Sequence, residues 1–277
     1  MCTVDWLAAA IAVVFAAAVL FNSVAYIQRW WTHVPSCEDD EPLGILDAVA
    51  AFVVECLSLA VLVVVSPLGW LVRHQTAAPG NGQAIVLAHG WGLNAGSLWL
   101  LRRRLARAGF GPIVIFTYRT RGIEIEPAAE RLRDQLASVH ATHPGPITII
   151  GHSLGGLVAR YCLRRYPVPG VQRLVTIGTP HHGTIAARVG LGTKQLLPDA
   201  PLIVKLNAAD HVPQQFEVIS ISSPFDALVI PHRNADYPGA CNIEIRAVGH
   251  NALLFSRRVV KLIEEQLRAS AQPAPRF

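Results

Sequence analysis

Ile147-Thr148-Ile149-Ile150-Gly151-His152-Ser153-Leu154-Gly155-Gly156-Leu157-Val158-Ala159-Arg160-Tyr161-Cys162-Leu163 decides the fold of this chain. An apolar run ends in a glycine-punctuated turn, and a helical pattern starts on its far side. A buried strand, a sharp turn and a helix form the setting in which G-x-S-x-G exposes a serine oxygen. Side chains two residues either side of Ser153 would collide in so tight a turn, which gives Gly151 and Gly155 a steric reason to be glycine. Ser153 is therefore the candidate nucleophile; the competing reading is a plain Gly-rich turn.

Around this stretch, short apolar runs bounded by turn residues alternate with helical patterns. Strands are expected at Ala84–Ala88, Pro112–Tyr118, Ile147–Ile150, Arg173–Ile177, Phe216–Ser222 and Ile243–Val248. Helices are expected at Ala95–Ala108, Glu126–His140, Gly155–Arg165 and Asn251–Ala269. Such alternation predicts an α/β fold with a mostly parallel sheet and helices on both faces. The domain runs over residues 83–269, and the tail 270–277 reads as disordered.

Upstream the chain changes character. It is 52% hydrophobic overall, and the excess sits at the N-terminal end. Trp6 to Gln28 contains no charged residue, and Ile45 to Val72 carries only Asp47 and Glu55. Each run is long enough to cross a bilayer core, for which about 20 helical residues are needed. Residues 1–73 thus read as a transmembrane helical hairpin with helices at about 6–28 and 45–72. Its loop holds the acidic cluster Glu38-Asp39-Asp40-Glu41, and a breaker-rich linker occupies 74–82. Two other readings are weaker. A cleaved signal peptide lacks its basic start, although Ala-rich segments offer cleavage-like sites. Two buried core helices would precede a domain that already looks complete.

Glu55 is a charge near mid-membrane, costly unless neutralised or paired. It reads as a protonated carboxyl facing the other helix near Asn22 or Ser23, or else as part of a proton or substrate pathway. The five cysteines have neither metal-type spacing nor a disulfide framework, and are expected to be small buried side chains. Net charge is +5. The basic run Arg102-Arg103-Arg104 with Arg107 reads as a solvated face or a contact with anionic headgroups. Aromatics and bases do not interleave as on a nucleic-acid surface, so no nucleic-acid partner is expected.

A serine needs a base to take its proton, and the base needs an orienting carboxylate. Of the histidines after Ser153 (His181, His182, His211, His232 and His250), His250 is best placed, between the last expected strand and the final helix. The candidate carboxylates after Ser153 are Asp199, Asp210, Glu217, Asp226, Asp236 and Glu244. Asp226 follows the Phe216–Ser222 strand by four residues, with Asp236 next in rank. An oxyanion needs two backbone N–H donors. Leu154 follows the nucleophile, and Trp91 sits in the glycine-rich His89-Gly90-Trp91-Gly92 loop. His89 and His152 read as packing neighbours.

These pieces together resemble the α/β-hydrolase superfamily, and within it the small bacterial lipases and esterases. The resemblance rests on His89–Gly92, the Gly151–Gly156 turn, Thr176–Thr184, the Asp226 segment, and Gly249-His250 with Leu253-Leu254. It implies an α/β-hydrolase fold and ester hydrolysis through an acyl-enzyme with Ser153, Asp226 and His250 as triad; some relatives bind calcium or zinc, but no complete ligand set is visible in this sequence, so no catalytic metal and no cofactor are expected. The hairpin departs from the secreted members. The expected substrate is a lipid or lipophilic ester, and the expected location a bacterial inner membrane, with Arg102–Arg107 tilting the domain toward the cytoplasmic face. Acyl transfer by the same triad is the second enzyme reading. A non-catalytic membrane interaction module with a hydrolase-like fold is the reading from another class. Residues 186–207 are the room for a lid; their leucines can line an acyl pocket or pack on the core.

Overall fold

The computed structural model describes residues 3–31, 44–72, 80, 82–120, 122, 124–208 and 215–269. The acidic hairpin loop, most of the linker, Asp210, His211 and the tail lie outside these. Six parallel strands form one sheet: β1 (Ala84–Ala88), β2 (Ile113–Phe116), β3 (Ile147–His152), β4 (Val171–Ile177), β5 (Glu217–Ser222) and β6 (Cys241–Glu244), in the order β2-β1-β3-β4-β5-β6.

The pleat sends alternate residues to opposite faces, and each face is covered. Ala84, Val86 and Ala88 of β1 join Ile147 and Ile149 of β3 under α5 (Ile125–Thr142) and α6 (Leu154–Arg165). Ile85 and Leu87 join Ile150, Val175 and Ile221 under α4 (Trp99–Arg107) and α8 (Arg257–Ala269). Full burial of each such side chain contributes roughly 1.5–3 kcal/mol, so strands buried on both faces must read as near-continuous apolar runs.

Among the expected boundaries that move, two lie at the C-terminal end of the domain. The last strand is Cys241–Glu244, not Ile243–Val248, because its partner β5 ends at Ser222, opposite Glu244. Beyond that the chain turns away, with Ala247 at φ 59°. The final helix starts at Arg257, not at Asn251. Ala252–Leu254 forms a separate 3-10 turn, and the Ser256 hydroxyl accepts from Val259 N–H at the start of α8. Cys56 and Cys162 are buried as expected, but Cys241 is exposed on the edge strand. Arg103 and Arg107 are exposed, whereas Arg104 donates to the Phe255 carbonyl at 2.8 Å and ties α4 to the segment before α8.

The hairpin comprises α1 (Thr3–Trp31) and α2 (Ile45–Val65); after a break at Ser66-Pro67 comes the short α3 (Gly69–Val72). The segments Ala8–Trp31 and Ile45–Leu71 have the length and apolarity of membrane spans. Only 17% and 28% of their most apolar stretches are buried, so they are not core helices. They do not lead away from the domain. Tyr26, Gln28 and Arg29 of α1 donate to the carbonyls of Phe225, Ile185 and Asp226. At the far end of α2, Asn94 donates to the Ser66 carbonyl and hydroxyl. The hairpin lies along the carboxyl edge of the sheet, over the loops that carry the candidate site.

Candidate active site

Ser153 stands between β3 and α6 with φ 53° and ψ −122°, a conformation that L-residues rarely adopt. The strain persists because the surrounding backbone leaves no alternative. A Cβ on Gly151 would lie 2.5 Å from the Gly156 Cα, and one on Gly155 would lie 2.5 Å from the Ala88 carbonyl oxygen. Both neighbours are backbone and cannot swing aside. Gly155→Ala is accordingly expected to cost about 1–3 kcal/mol by overpacking, read as a fall of several degrees in Tm.

The His250 Nδ1 meets the Asp226 Oδ2 at 2.6 Å, with both side chains buried. The other oxygen, Oδ1, accepts from Leu228 N–H at 2.7 Å and Val229 N–H at 2.9 Å, which fixes the carboxylate. Burial disfavours a charged imidazole, but the charge and hydrogen bond of Asp226, with a further contribution from Glu55, outweigh it and hold the His250 pKa above the usual histidine value. With Nδ1 taken by Asp226, Nε2 is the nitrogen left for proton transfer. Gly178, at φ +56°, passes close to this pair; a Cβ there would lie 3.1 Å from Nδ1 and 3.3 Å from Oδ2.

Ser153 and His250 line one cavity of about 600 Å³. Trp91 lines it too. A Cβ on Gly90 would lie 3.1 Å from the Ser153 Cβ, so this loop presses on the nucleophile. Tyr118 fixes the loop by donating to the His89 carbonyl at 2.7 Å, and its ring stacks on His89. Leu154 is the first residue of α6, where an N–H has no intrahelical acceptor. The cavity walls are mostly apolar, with Leu93, Leu228 and Val229 supplied by the loops after β1 and β5. The hairpin supplies Val14, Ala18, Phe21, Leu59 and Leu62; the 186–207 segment supplies Leu191 and Leu196, while its Leu202, Ile203 and Leu206 pack into the core.

The other histidines have different surroundings. His89 is neutral, its pKa lowered to about 4 by burial. His152 is also driven well below the usual value, by burial and then by the charge of His250, whose carbonyl lies 3.3 Å from its Nε2. His181 bonds the Thr176 hydroxyl, and His232 sits 3.7 Å from Glu244. Asp236 lies beside Arg233 and His182, not His250.

Glu55 does not pair with Asn22 across the hairpin. Asn22 turns to the Ala18 carbonyl and the Cys56 sulfur, not to Glu55. The Glu55 carboxylate instead leaves the hairpin and accepts three hydrogen bonds from the residues just after His250. An isolated carboxylate in an apolar run carries no local sign of a partner 196 positions away. The one sequence signal was Gly249, where a Cβ would strike the Glu55 carboxylate.

A six-stranded parallel sheet with a serine in a strained turn after its third strand, and an Asp–His pair on the loops after its fifth and sixth, is the layout of the α/β-hydrolase fold. Residues 85–221 match the model of the Alpha/beta hydrolase family, and this chain carries an α/β-hydrolase domain. A stretch of 90 residues is 33% identical to the pimeloyl-[acyl-carrier protein] methyl ester esterase of Chromobacterium violaceum. That match covers 32% of this chain and 34% of the enzyme, so the chain spans about a third of its curated relative. Solved structures with the same fold include Aspergillus fumigatus lipase B (TM-score 0.62, 16% identity, 72% of this chain and 56% of that one). The Bacillus licheniformis lipase BlEst2 in mature form has a TM-score of 0.53 at 14% identity, over 70% of this chain and 96% of that one. The Paleococcus ferrophilus monoacylglycerol lipase has a TM-score of 0.54 at 16% identity, over 70% and 96%. The named relatives and neighbours of this fold are esterases and lipases.

Proposed function

We propose that this protein is a membrane-associated serine hydrolase that cleaves carboxylic esters carrying an apolar acyl chain. The observation that carries the reading is the Asp226–His250 pair at 2.6 Å, facing the same cavity as a serine held in a strained turn. Ser153 Oγ attacks the ester carbonyl while His250 Nε2 takes its proton. The tetrahedral oxyanion receives the N–H groups of Leu154 and Trp91. His250 returns the proton to the departing alkoxide, leaving an acyl-enzyme and an alcohol. Water then attacks the acyl-enzyme with His250 again as base, and Ser153 and a carboxylic acid are regenerated. Asp226 holds the imidazole tautomer and faces the imidazolium that forms.

Similarity to a methyl ester esterase and to lipase folds supports ester chemistry. The apolar cavity supports a lipophilic acyl group. The hairpin supports a membrane setting: Ile11, Leu20, Ile27, Val53, Val61 and Val64 are exposed on it, with Trp30, Trp31 and Trp70 toward its ends. Exposed apolar area on this scale needs a cover, and Trp at such ends suits a bilayer interface. A series of p-nitrophenyl esters of rising chain length tests the reading. Turnover should favour chains longer than acetyl, and no turnover along the whole series would refute it. Leu59→Trp fills the hairpin side of the cavity. It is expected to lower kcat/KM on long chains by on the order of 10- to 200-fold, the scale of lost apolar contacts in a pocket, with little effect on acetate.

A further inference from the structure

Glu55 is 1% exposed, in the middle of an apolar helix. A carboxylate in such a place is costly unless hydrogen-bonded, and here both oxygens are engaged. Oε1 accepts from Asn251 N–H and from Asn251 Nδ2, each at 2.8 Å; Oε2 accepts from Ala252 N–H at 2.9 Å. These donors directly follow His250. The segment before it is held as well, since the Ser223 hydroxyl donates to the Val248 carbonyl. From the other hairpin helix, Tyr26 and Arg29 hold the carbonyls of Phe225 and Asp226. Each partner of the Asp–His pair therefore sits on a loop fastened by one helix of the hairpin.

We infer that Glu55 is a positioning residue for the proposed hydrolysis: it fixes the His250 loop through three N–H donors, so that His250 is aligned with Ser153 only while the hairpin is seated on the catalytic face. Hydrolysis is thereby coupled to the hairpin, which also forms the acyl-chain wall of the cavity. The inference rests on Ser153 and His250 acting as proposed above. A mutation remote from the bond that breaks can cost on the order of 10²-fold when it misplaces a catalytic group, and the loop next to His250 is where such a shift would act.

The test uses the full chain in detergent micelles or vesicles, with Glu55→Leu and Glu55→Gln. Glu55→Leu removes both acceptor oxygens and should lower kcat by on the order of 10²-fold and slow fluorophosphonate labelling of Ser153 in parallel, with KM little changed. Glu55→Gln keeps an acceptor without the charge and should recover part of kcat. It should also move the acid limb of kcat/KM to lower pH, because one negative charge that favours the His250 imidazolium is gone. The other groups facing His250 are Asp226 and His152, with Tyr26 and Arg29 on the Asp226 loop, and all stay in place in both variants. Wild-type kcat and an unmoved limb in Glu55→Gln would overturn the inference, even if Glu55→Leu fails to fold. So would a loss of kcat in both variants that only parallels a lower Tm with the limb unmoved, which makes Glu55 a packing residue. A wild-type chain that neither labels nor hydrolyses esters would instead sink the parent reading, a result distinct from active wild type with indifferent variants.

Discussion

Ser153→Ala is expected to abolish fluorophosphonate labelling and to lower kcat for ester hydrolysis by on the order of 10⁶-fold. In the proposed mechanism the hydroxyl is the attacking group, and Ser153 shares the cavity wall with His250. Ser66, Ser97 and Thr184 also line the cavity, but Ser66 accepts from the Asn94 amide, Ser97 donates to the Asn94 carbonyl and Thr184 to the Leu228 carbonyl, so all three are engaged in loop structure. The loss must be separated from unfolding, and the strained backbone supplies the means. Ser153→Gly removes the same hydroxyl at a position with φ 53° and ψ −122°, where glycine relieves a strain of about 1–3 kcal/mol. Inactive Ser153→Gly should therefore melt no lower than wild type. Residual labelling of Ser153→Ala at the wild-type rate would remove Ser153 from the mechanism.

Much of this site was legible in the sequence because its signals are local. The turn around Ser153 needs two glycines at fixed offsets, and strands buried on both faces leave unbroken apolar runs. Asp226 and His250 could be ranked by their distance past a strand end, and the fold brings the two together although the last strand was displaced. That displacement has a nonlocal cause. Ile245 and Val248 read as strand residues, but β5 ends at Ser222, whose carbonyl accepts the Ile245 N–H as the last rung of the ladder. The role of the hairpin was not legible either. Apolar helices are written the same way whether they face lipid alone or also roof a cavity, and only the packed fold brings Val14 and Leu59 to the wall that holds Ser153. The same holds for Tyr26 and Arg29, whose partners are backbone carbonyls and leave no trace in side-chain pattern.

Asp226→Asn should lower kcat by about 10⁴-fold, the scale on which loss of the orienting carboxylate acts in such triads, while leaving ester binding nearly intact. The pH profile gives the sharper reading. His250 must be neutral to accept the Ser153 proton, so kcat/KM falls as pH drops through the His250 pKa. In the wild type that pKa lies above the usual histidine value; burial opposes the charge, and Asp226 more than compensates. Removing the carboxylate leaves burial dominant, so the acid limb should move to lower pH. Stability follows the opposite sense. A histidine whose folded pKa is raised contributes stability that is full below its unfolded pKa and is lost as pH rises through the folded one. Asp226→Asn should thus narrow the Tm gap to wild type as pH climbs from 5 toward 8, for that part of the gap due to the ion pair. An acid limb that stays where it was in the variant, or moves upward, would mean that Asp226 does not set the His250 charge and that another carboxylate, Glu55 foremost, carries that role.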